Sequence, residues 1–88
     1  MAFDNVRNYY EELVFNAVSA ALAERDLPDD DDFAEDVACV TLNNLQPRYV
    51  HHNIYLAFYL SSEERRKIDE KIKETVQEAM AFVDTHRR

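Results

Sequence analysis

The residues best suited to recognition chemistry lie in one short run, Asn43-Asn44-Leu45-Gln46-Pro47-Arg48-Tyr49-Val50-His51-His52. Arg48 is the sharpest of them. A guanidinium that follows a proline starts from a restricted backbone, so it loses less freedom on forming paired hydrogen bonds to a carboxylate or phosphate. Its competing role is internal, neutralising helix-end carbonyls or pairing with one of the chain's many acids. Tyr49 can stack on a ring or fill core. Asn43 and Asn44 offer hydrogen-bonding amides, but asparagine near a helix end often only terminates it, and at least one of the pair is read that way. His51 and His52 are adjacent, so on an extended segment they point to opposite sides.

Other chemistries find less support. A calcium loop starting at Asp30 needs glycine at its sixth position and glutamate at its twelfth, where this chain has Glu35 and Thr41. The aspartate run is read instead as a solvated loop that favours the start of the following helix. A zinc site built on His51, His52 and Cys39 lacks further ligands, so no metal is expected. Cys39 sits mid-helix among Val37, Ala38, Val40 and Leu42 and is read as a small packed thiol rather than a nucleophile. No serine has an identifiable base and orienter. The chain contains no glycine, which removes phosphate-cradling loops and dinucleotide fingerprints. Catalysis and a resident cofactor are therefore not expected.

With 88 residues the chain makes one domain, 1–88, and a small one. Its single cysteine cannot form an internal disulfide, so dimerisation is the expected source of additional core. The formal charge of −8, from 18 acidic and 10 basic residues, argues against non-specific nucleic-acid binding. No stretch approaches the roughly 18 apolar residues of a membrane span. The N-terminus has no basic region followed by an apolar run, and with one thiol a cytoplasmic protein is expected.

Three helices must position these groups, giving an all-α domain with an extended arm between the second and third. The first runs from about Asn5 to Arg25, capped by Asp4 or Asn5. Its stripe is Val6, Tyr9, Tyr10, Leu13, Val14, Ala17, Val18, Ala21 and Leu22. The second follows the break Asp26–Asp32, with Asp32 and Glu35 as a capping box, and ends near Asn44 or Leu45 ahead of Pro47. It is apolar nearly all round, with Phe33, Val37, Ala38, Val40, Thr41, Leu42 and Leu45, so it belongs at the centre of the fold. Tyr49 to Leu60 alternates like a strand, yet no second strand is visible to pair with it. The third helix opens on a capping box, Ser61 with Glu64, and carries Ile68, Ile72, Val76, Ala79, Met80 and Val83 on one face. Glu63–Lys67 and Asp69–Lys73 are spaced for ion pairs. At roughly 34 Å this helix overhangs the body of so small a domain and is expected to pack on something else.

The run Cys39-x-x-Leu42-Asn43-x-Leu45-x-Pro47-Arg48-Tyr49-Val50 resembles the signature of the late-competence ComFB-like family of small bacterial proteins. Asn8–Val14 is similar to that family's first helix, and Ser61–Val83 to its last. Gln46 departs from the pattern, which often has a second proline there. The chain also lacks the additional cysteines that could hold a metal in cysteine-richer relatives. The resemblance implies an all-helical homodimer without enzymatic activity. It further implies a role in competence or motility control, through binding a cyclic dinucleotide and passing that state to a regulatory protein. On that reading Arg48 contacts phosphate, Tyr49 stacks, and Asn43, His51 and His52 supply hydrogen bonds. Arg7 is a further local donor, and Arg65, Arg66 and Lys67 form a second basic cluster. The alternative is a ligand-free homodimeric adaptor.

Overall fold

Apolar residues three and four apart along two long segments dictate helices that must share a buried seam, and the structure, a computed structural model, shows them doing so. It describes residues 5–26, 31–51 and 60–86. Along the chain these form β1 (Arg7–Asn8), α1 (Tyr10–Glu24), α2 (Asp31–Asn43), β2 (Tyr49–Val50) and α3 (Ser62–His86). Each helix packs against the other two. Val14, Val18, Ala21 and Leu22 of α1 meet Phe33, Val37 and Ala38 of α2 and Ile72, Val76, Ala79, Met80 and Val83 of α3. Leu45 joins the same cluster just beyond α2. Each large side chain so buried contributes about 1.5–3 kcal/mol relative to exposure. Arg25, at the end of α1, pairs with Asp84 of α3 at 3.1 Å and lies over the Phe33 ring of α2, so one cation ties all three helices together.

The third helix matches its expected face residue for residue, and its capping box forms. Ser61 N donates to Glu64 Oε1 at 3.2 Å, and Glu64 N donates to Ser61 Oγ at 3.1 Å. The 25 residues of α3 span roughly 37 Å, nearly the molecule's longest dimension of 40 Å. From 62 to 71 all residues are exposed except half-buried Ile68, whereas the buried series starts at Ile72. The N-terminal part of α3 thus projects beyond the core.

Several expectations are corrected. The arm does have a partner: β2 pairs antiparallel with β1, Arg7 opposite Val50 and Asn8 opposite Tyr49. Because residues 7 and 8 are extended in that pairing, α1 begins at Tyr10 rather than Asn5. Asp32 lies inside α2, which starts at Asp31, so it supplies first-turn charge and is not the cap. Cys39 is exposed, not packed. Glu35, Asp36, Cys39 and Asn43 form a solvent-facing stripe, because α1 and α3 cover only the Phe33–Val37–Thr41 side of α2. Glu63 and Glu70 both bind Arg66, the latter at 2.6 Å, and neither Lys67 nor Lys73 forms the expected ion pair. His52, the two terminal arginines and most of the Tyr49–Leu60 arm lie outside the described residues.

Candidate functional site

The site is organised by a side chain that the sequence did not single out, Asn8. Its Oδ1 accepts hydrogen bonds from Tyr10 N at 3.2 Å and from Arg48 N at 3.1 Å. Tyr9 N donates to Arg48 O at 2.6 Å. Both peptide groups of Arg48 are therefore fixed to the start of α1, although Asn8 and Arg48 are 40 positions apart. Tyr9 already has helical angles, φ −55° and ψ −31°, so Asn8 acts as the cap of α1 while clamping the entry to β2. The one signal available in sequence was an asparagine just ahead of an apolar helical stripe.

Side chains alternate along the ribbon and directly opposed residues share a face. Arg7, Arg48 and Val50 accordingly fall on one face, Asn8 and Tyr49 on the other. Arg48 is exposed, and among the described residues no hydrogen bond or ion pair engages its guanidinium. Its charge acts on Glu64, in the first turn of α3. That carboxyl is held below the usual glutamate range mainly by hydrogen bonds from the backbone and hydroxyl of Ser61, and to a lesser degree by the charges of Arg48 and Lys67. Arg48 thus lies within electrostatic reach of the N-terminal end of α3. Tyr49 is 68% exposed, which removes the core-filling role for its ring.

The asparagine pair divides its duties. Asn44 closes α2: its Nδ2 donates to Val40 O at 2.8 Å, and its N–H to the Val40 and Thr41 carbonyls. Asn43 is the last helical residue and is exposed, and no contact among the described residues joins it to Arg48. His51 is exposed and has an interaction partner, and His52 lies outside the described residues. Of the residues expected to bind ligand, the structure brings Arg7, Arg48 and Tyr49 onto one ribbon.

Two cavities flank that ribbon. One, of about 310 Å³, is lined by Arg7, Asn8, Glu11, Glu12 and Phe15. Its two carboxylates make it unsuited to an anion. The other, of about 280 Å³, is lined by Tyr9, Leu13, Arg65, Ile68 and Asp69, between the start of α1 and the projecting part of α3. It has an aromatic wall, an apolar floor and a charged rim. Among the described residues no three His, Cys, Asp or Glu side chains are grouped to hold a metal ion, and no helix is long and apolar enough to cross a membrane.

The family model of the late competence development protein ComFB matches residues 7–87, nearly the whole chain. The chain belongs to that family. Searches of curated proteins and of solved structures each found no match.

Proposed function

We propose that this ComFB family member is a non-enzymatic regulatory module that binds a cyclic dinucleotide through Arg48 and Tyr49, and does so as a homodimer. The observation that carries this reading is the state of Arg48. In a chain of 18 acidic residues its guanidinium is exposed and unbonded among the described residues, while its backbone is fixed at both N and O by Asn8 and Tyr9. A cation whose backbone is already held loses little freedom on gripping a phosphate. Tyr49, the next residue along the chain, points to the opposite face of the ribbon and offers there an exposed ring for stacking on a base that reaches round the ribbon. A twofold dimer presents both residues twice, matching a ligand with two phosphates and two bases. The overall negative charge is no obstacle, because nearby donors dominate the field at a small anion.

Calorimetry with cyclic di-GMP and cyclic di-AMP tests the reading. Binding of either at tens of micromolar or tighter is expected, weakened at least tenfold by Arg48→Ala, as loss of a charge-assisted hydrogen bond of about 1.5–3 kcal/mol requires. A second reading, a ligand-free adaptor, draws on the half-exposed Phe15 and Phe82 and on the projecting start of α3. On it, Arg48→Ala lowers stability or disrupts the dimer with no dependence on any nucleotide.

A further inference from the structure

The core-facing stripe of α3 runs on into charged residues where the helix projects beyond the core. Counting back from Val76 and Ile72 in steps of four and three, the core-facing stripe reaches Asp69, Ile68 and Arg65. Ile68 continues the stripe, but Asp69 and Arg65 do not. Both nonetheless line the 280 Å³ cleft, above Leu13 and Ile68 and beside the Tyr9 ring. That volume lies near the lower end of small-molecule pockets, about 300 Å³, and suits one planar ring system better than a whole ligand. The cleft is linked to the Arg48 anchor through Tyr9, which lines it and whose backbone N–H is bonded to the Arg48 carbonyl.

A carboxylate beside an anion site is repulsive unless it has donors of its own to accept from. Asp69 has none among the described residues, where no hydrogen bond or ion pair engages it. We propose that this cleft receives one base of the dinucleotide and that Asp69 selects guanine over adenine there. The proposal rests on the binding function put forward above and adds its specificity-determining residue. Guanine carries two adjacent N–H donors, at N1 and N2, which a carboxylate accepts in a paired arrangement. Adenine presents one amino donor beside the N1 lone pair, which an aspartate oxygen repels. Tyr9 stacks on the ring while Leu13 and Ile68 exclude water from one side.

The test is calorimetry of cyclic di-GMP and cyclic di-AMP on the wild type, Asp69→Asn and Glu70→Gln. A good bidentate contact discriminates about 5- to 150-fold, and an open cleft belongs toward the lower end, so the wild type is expected to favour cyclic di-GMP by about tenfold. Asp69→Asn, which replaces one acceptor by a donor, brings the ratio close to one, chiefly by weakening the guanine ligand. Glu70→Gln removes a neighbouring charge that is committed to Arg66 and leaves the ratio unchanged. Asp69 is exposed, and circular dichroism is expected to show that its variant folds. An unchanged ratio in Asp69→Asn, or a wild-type preference for cyclic di-AMP, overturns the role of Asp69 while leaving the dinucleotide function standing. Binding of neither ligand to the wild type overturns both.

Discussion

Replacing Asn8 by alanine removes one oxygen that serves two backbone donors, and the consequence can be worked from their surroundings. The bond to Tyr10 N is partly buried, so this donor is poorly compensated by water when its partner goes. Loss of a helix-capping acceptor costs about 0.5–2 kcal/mol, typically about 1. The bond to Arg48 N is exposed, and water replaces it at a cost nearer 0.5 kcal/mol. The sum, about 1.5 kcal/mol, corresponds to a fall in Tm of roughly 6–12 °C for a domain of this size. Asn8→Asp retains the acceptor and places negative charge at the start of α1 beside Arg7, so its stability should equal or exceed that of the wild type. Thermal and urea unfolding followed by circular dichroism measures both variants. Because the same oxygen fixes Arg48, Asn8→Ala is also expected to weaken dinucleotide binding, whereas Asn8→Asp largely preserves it. If Asn8→Ala unfolds within about 0.5 kcal/mol of the wild type, or Asn8→Asp is as unstable as Asn8→Ala, the clamp does not exist as described.

Two further perturbations probe the scaffold. Thr41 is fully buried and its Oγ1 has no hydrogen-bond partner among the described residues, so Thr41→Val, which keeps the shape and removes the hydroxyl, should stabilise by about 1 kcal/mol; a loss of stability in urea titration contradicts this. Glu64 has a folded-state pKa below the ordinary 4.5, so its capping contribution is complete above that value and is lost as pH falls through the lowered one. Glu64→Gln should therefore flatten the acid limb of the stability–pH curve, and an acid limb identical to that of the wild type argues against the cap.

Much of the architecture was legible because helical periodicity is a local signal. The stripe of α3 and its Ser61–Glu64 box were readable residue by residue, since every group involved lies within a few positions of its partner. The stripe of α1 was equally clear. Its start was not, because residues 7 and 8 obey a strand partner at residues 49 and 50, far along the chain, and a pair of two-residue strands leaves no period to detect. For Cys39 the error was one of geometry: α2 needed only one covered side, and the count of apolar residues overstated its burial. At the site, the Pro-Arg-Tyr run pointed to a segment on which the structure shows an exposed cation. It could not show that Asn8 holds that cation's backbone, that Asn44 and not Asn43 ends α2, or that Asp69 borders a cleft beside Tyr9. Those are contacts between elements, which spacing along a chain does not encode.

The central claim is that Arg48, anchored by its backbone on the β1–β2 ribbon and with a guanidinium unbonded among the described residues, grips a phosphate. Titrating cyclic di-GMP into the wild type and into Arg48→Ala, with both confirmed folded, tests it most directly. Saturable binding by the wild type, weakened at least tenfold in the variant, is the predicted result. Equal affinity in the two proteins, or no heat from either cyclic dinucleotide, contradicts it.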